Sequence, residues 1–155
     1  MKRILLLAFM CLFATTAFAQ KNALGLHVGN GAEIQYDRYF QSGNALRTNV
    51  GLFGFDGRLY ASCIYDWQCC NWTDWTPSAG DWFLHAGVGG AIGYCDTSKR
   101  GEGLNIGVTG NVVFGIKFNK TPITLAVDYR PTAIAINKDW RDGWFNLGLS
   151  CVYRF

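Results

Sequence analysis

The last ten residues, Asn146 to Phe155, read NLGLSCVYRF. Counting back from the end, the odd positions hold Phe155, Tyr153, Cys151, Leu149 and Leu147, and the even positions hold Arg154, Val152, Ser150, Gly148 and Asn146. Alternation with period two places one set on each face of a β-strand. One face is apolar and finishes on an aromatic ring, whereas the other is small or polar apart from Val152. Chain ends usually fray, so this regularity predicts a final strand that is built into a sheet.

The same alternation recurs along the chain, broken each time by turn residues. It predicts eight strands at 23–29, 32–40, 45–55, 58–68, 82–95, 103–118, 121–131 and 144–155. Asn30-Gly31 between the first two is the strongest short hairpin signal, because both residues tolerate positive φ. No stretch carries a helical period. Sorting by parity gives one face with Leu24, Leu26, Ile34, Tyr36, Val50, Leu52, Cys63, Trp67, Val88, Val112, Leu125 and Val127 among its members, and Arg38 as its one charge. The other face holds His27, Glu33, Asp37, Arg47, Arg58, Asp66, His85, Asn111, Lys117, Asp128, Arg130 and Arg154, with many glycines.

Composition bears on which face is inside. Half of the 155 residues are hydrophobic and 15% are aromatic. A soluble barrel of this size would need an outsized cavity to enclose the apolar face, whereas strands facing hydrocarbon need no such cavity. The reading is therefore all-β: an eight-stranded antiparallel up-and-down transmembrane β-barrel. Its lumen is expected to be filled by a charge network of Glu33, Asp37, Arg47, Asp66, Asp128 and Arg130, with Arg58, Lys117 and Arg154 as further partners for the carboxylates. Eight strands leave an interior just wide enough for side chains, which argues against an open diffusion pore.

The chain opens MKRILLLAFMCLFATTAFAQ, a positive start, about 16 apolar residues and a small-x-small site at Ala17-Phe18-Ala19. This predicts a cleaved export signal at 1–19 and a single barrel domain at 20–155. Loss of Lys2 and Arg3 lowers the formal charge of +3 by two, so nothing suggests a nucleic-acid partner. With both termini on the periplasmic side, the connections at 41–44, 68–81 and 118–121 face the periplasm. Residues 30–31, 56–57, DTSKRGEG (96–103) and PTAIAINKDWRDG (131–143) then face outward.

The signal, the eight alternating strands, LAVDYRP (125–131) and the terminal VYRF together resemble the small outer-membrane β-barrel family of the OmpA/OmpX type. The resemblance implies residence in the outer membrane of a Gram-negative bacterium, in contact with its lipid and lipopolysaccharide. It also implies that Phe155, Tyr153 and Gly148 belong to the signal read by the barrel-assembly machinery, with periplasmic chaperones as transient partners. The connection at 68–81, with Cys69, Cys70, Trp72 and Trp75, departs from the short periplasmic turns of that family.

Little in the chain points to chemistry. Five cysteines come after the signal, an odd number, and their strand positions fit no disulfide framework, although a vicinal or intermolecular bond at Cys69-Cys70 stays open. No metal or cofactor is expected. His27 beside Glu33 and Asp37 would suit a lipid-modifying enzyme, but polar packing explains the same residues more simply. Asp139, Trp140 and Arg141 form the candidate binding loop, because Trp and Arg dominate interface hot spots. The expected role is non-enzymatic, structural or adhesive, in a monomer whose closure removes free edges. The alternatives are the lipid-modifying enzyme and a soluble lipocalin-like binder.

Overall fold

A strand followed by a short turn finds its nearest partner in the strand before it, so a chain of such units grows as an antiparallel meander. The protein, described by a computed structural model over residues 21–53, 58–95, 103–134 and 145–155, does this throughout. Its strands are β1 (Asn22–Val28), β2 (Gly31–Tyr39), β3 (Ala45–Phe53), β4 (Arg58–Thr76), β5 (Gly80–Cys95), β6 (Gly103–Phe118), β7 (Ile123–Tyr129), β8 (Thr132–Ile134) and β9 (Leu147–Arg154). No helix is present among the described residues. β9 pairs with β7 on one side and with β1 on the other, where Leu26 lies opposite Cys151, and this closes the sheet on itself.

The result is a closed eight-stranded antiparallel barrel with one extra short strand. That extra strand, β8, continues the line of β7. Between Val112 and Thr109 of β6 the partner changes from Tyr129 to Thr132, so both pieces share one register. The interruption falls at Pro131, which has no N–H to give. Its carbonyl still accepts from the Gly110 amide at 2.9 Å. The seventh strand, expected to stop at residue 131, therefore runs on to Ile134.

Register also gives the stagger. From Gln68 the partners are His85, Val113, Asp128, Gly148, Gly29, Gly31 and Phe53, and the circuit returns to β4 at Arg58, ten residues from its start. With strands about 4.8 Å apart and a rise of about 3.3 Å per residue, this stagger tilts them by about 40°. About ten residues at that tilt span about 25 Å along the axis, the height of an apolar transmembrane band.

One expected connection is corrected. Residues 68–81 form no long turn: β4 runs to Thr76, and Pro77 to Ala79 turn directly into β5, with the Ala79 amide donating to the Thr76 carbonyl at 2.9 Å. Cys69 has no partner on β5, since Gln68 faces His85 and Cys70 faces Leu84. A bulge of this kind flips the parity of the residues beyond it. Trp72 thereby faces Trp82 across the strands and joins Trp75, Trp82 and Phe114 in one aromatic cluster, with the Trp72 and Trp75 rings stacked at 4.7 Å.

Candidate functional site

The two faces of the wall differ as the parity sorting anticipated. Side chains pointing inward are buried, and they include His27, Glu33, Asp37, Arg47, Asp66, His85, Asn111, Asp128 and Arg130. Those pointing outward are apolar and exposed: Leu26 is 62% accessible, Ile34 60%, Val108 60% and Leu149 56%. Cys63 and Cys151 lie on this outer face as free thiols.

The lumen is organised in levels along the barrel axis. Nearest the β1–β2 hairpin, Arg130 Nη1 donates to Glu33 Oε2 at 2.9 Å and to Ser62 Oγ at 3.3 Å. Arg130 Nη2 lies 3.0 Å from the His27 ring nitrogens, and His27 Nε2 lies 3.1 Å from Asp128. His27 Nδ1 is 3.5 Å from Glu33. In the middle level Arg47 Nε donates to Asp37 Oδ1 at 3.1 Å and sits 3.6 Å from Asp66. Gln35 donates to Asp37 at 2.9 Å, and Asn111 Nδ2 donates to both Asp66 oxygens at 3.0 and 3.1 Å. A buried charge is tolerable when it is paired and hydrogen-bonded: Glu33, Asp37 and Asp66 each have an arginine within 4.0 Å, and Asp128 is hydrogen-bonded by His27.

All six residues expected to form the lumen network, Glu33, Asp37, Arg47, Asp66, Asp128 and Arg130, take part in it. Lys117 and Arg154, read as further carboxylate partners, do otherwise. Lys117 Nζ lies 4.9 Å from the centroids of both the Tyr39 and Phe83 rings. Arg154 Nη2 donates to the carbonyls of Phe118 at 2.6 Å and Thr121 at 3.3 Å, tying the last strand to the β6–β7 turn. Both stand at the level of the chain termini, below Asp37 and Asp66, and the stagger that separates them cannot be read from one strand at a time. The His27–Asp128 contact was also missed, because it joins β1 to β7, residues far apart in sequence.

Glycine placement obeys the same network. A Cβ on Gly148 would run into the His27 imidazole, and one on Gly87 would meet the Asp66 carboxylate. Gly148, expected as part of an assembly signal, thus also has a packing duty. Tyr153 lies on the outer face opposite Leu24. Phe155 closes the seam, its amide donating to Asn22 O at 2.8 Å and its carbonyl accepting from Asn22 N at 3.1 Å. Asp139, Trp140 and Arg141, the signal at 1–19 and the side chain of Arg58 lie outside the described residues.

His27 is 1% accessible, both of its ring nitrogens face charged groups, and its register partner on β9 is Ser150, whose hydroxyl donates to Ala126 O at 3.4 Å. Cys69 and Cys70 are free, with Cys69 exposed at the bulge. Among the described residues no group of histidines, cysteines and carboxylates is placed to hold a metal ion. Comparison with family models, curated proteins and solved structures found no match to the chain.

Proposed function

We propose that this chain is an integral outer-membrane β-barrel of a Gram-negative bacterium, with a plugged polar lumen and a non-catalytic role in the envelope, either structural or in surface contacts through its loops. One observation carries the reading: a hydrogen-bonded and ion-paired polar network fills the inside while the accessible surface is a belt of Leu, Ile, Val and aromatic side chains. In water such a belt would far exceed the apolar patches that soluble monomers tolerate. Facing lipid, it needs no partner. A soluble carrier of apolar ligands needs the opposite distribution, an apolar interior under a charged exterior.

Aromatic residues near one rim agree with this. Phe40, Tyr65 and Trp67 pack in series at 5.9 and 5.2 Å, and the Trp72, Trp75, Trp82 and Phe114 cluster sits at the same end. Such girdles mark the level of lipid headgroups. With both termini in the periplasm, this rim is the periplasmic one, and the β1–β2 turn at residues 29–31 lies at the outward end. The terminal Gly148, Tyr153 and Phe155 then stand where the assembly machinery would read them. Closure leaves the barrel complete as a monomer.

Thiol accessibility tests the reading. Cys63 and Cys151 are exposed on the outer face, and Cys69 lies near the rim. In lipid vesicles a charged, membrane-impermeant maleimide is expected to label Cys69 and spare Cys63 and Cys151, whereas after unfolding in SDS the same reagent reaches all three. Rapid labelling of Cys63 and Cys151 by the charged reagent would mean that water covers that face, and the membrane reading would fail.

A further inference from the structure

We propose that the terminus-side mouth of the lumen is a binding site for a small inorganic anion, held by Lys117 together with His85, Thr124 and Arg154. The starting observation is a difference in how polar groups are satisfied along the axis. In the middle level the atoms without a protein partner are mixed, with acceptors on Gln35 (Oε1) and Asn111 (Oδ1), donors on Arg47 (Nη1), and both kinds on Asn49. At the mouth they are Thr124 Oγ1, Arg154 Nε and both ring nitrogens of His85. Thr124, Arg154 Nε and one of the two His85 nitrogens can donate, the other imidazole nitrogen being an acceptor, and the only charge among them is positive.

His85 is fully buried and Thr124 is 3% accessible, so neither turns to solvent. Thr124 is the register partner of Lys117 on β7, and His85 lies beyond the Phe83 ring, the two rings tilted at 49° with centroids 4.7 Å apart and the Lys117 ammonium 4.9 Å from the Phe83 centroid. The charges acting on Lys117 are Arg154, Asp81, Asp37 and Arg47. Asp81 faces it across β5–β6 and is half-buried, yet among the described residues no carboxylate oxygen lies within 4.0 Å of the ammonium. Two aromatic faces attract the ammonium but neutralise none of its charge.

Burial without hydrogen bonds is costly for His85, for Thr124 and for the shielded Arg154 Nε, while Lys117 itself is half-buried. An anion seated among Lys117, Thr124, His85 and Arg154 Nε would accept from all four and offset the two cations at once. The site lies inside the wall whatever surrounds the barrel, so its failure would leave the membrane reading untouched.

The test uses the folded protein in a non-ionic detergent, which carries no lipid phosphate, with 15N-labelled histidine. The chain has two histidines, so the ring signals of His27 and His85 are separable. Sodium phosphate and sodium chloride are each titrated against sodium gluconate at constant ionic strength and pH. The His85 ring signals are expected to shift along a saturating curve for at least one anion while those of His27 stay fixed, and Lys117→Met is expected to weaken binding at least tenfold. No saturating shift, or the same curve in Lys117→Met, would overturn the site. Should Lys117→Met fail to fold, Thr124→Val replaces it, and an unchanged affinity there would count equally against the proposal.

Discussion

Inside and outside of this wall are made from the same strands, one residue apart, and they obey opposite rules. On the inner face Arg130, Arg47, Glu33, Asp37, Asp66 and Asp128 are buried and matched to one another, so each contact depends on several others. On the outer face Leu26, Ile34, Val108 and Leu149 make few demands on their neighbours. Specificity in this fold therefore resides in the polar interior, while the apolar exterior sets only the medium in which the barrel is at rest.

The strongest attack on that contrast is to remove one member of the inner network. Arg130→Ala strands Glu33 without its cation and removes a neighbour of His27, and it is expected to cost about 3–5 kcal/mol, read as a lower urea midpoint in vesicles with unchanged slope. Next comes the reverse substitution on the outer face. Ile34→Arg is expected to cost about 2–4 kcal/mol in a bilayer if this position lies near its midplane, whereas a soluble barrel would register the change at a 60% accessible position as about 0.5 kcal/mol or less.

Gly148→Ala probes the fit within the lumen. The added methyl meets the His27 imidazole, and overpacking of this kind costs about 1–3 kcal/mol. In a His27→Ala background the same substitution is expected to cost clearly less, and an equal cost in both backgrounds would show that the imidazole is not the obstacle. The smallest effect is expected at Cys69, the exposed bulge residue. Cys69→Ser should move the unfolding midpoint by no more than about 0.5 kcal/mol equivalent.

Parity made most of the barrel legible. Eight strands, their order and the assignment of Glu33, Asp37, Arg47, Asp66, Asp128 and Arg130 to one face come from period two alone. Local events defeated it. The bulge at Cys69 flipped the alternation and put Trp72 out of phase, a second register shift between Trp72 and Thr76 followed, and 68–81 read as a long connection instead of a continuing hairpin. Pro131 looked like a strand end, although its carbonyl keeps the ladder and only its missing donor interrupts it.

Partners within the lumen were harder to read, for a geometric reason. Gln35 and Asp37 share a face two residues apart, which is visible in the sequence, but the meeting of His27 with Asp128 depends on closure of the barrel. Lys117 and Arg154 were assigned to carboxylates because their face was known and their height was not. The ten-residue stagger sets that height, and it emerges only from the full circuit of registers.

Whether the apolar face looks at lipid is decided by the electrophoretic mobility of the outer-membrane fraction in SDS, with and without boiling, for the native chain and for one lacking Phe155. A membrane-associated protein that migrates differently before boiling, with poor assembly of the truncated form, is the expected result. Recovery in the soluble periplasmic fraction with no mobility shift would contradict it.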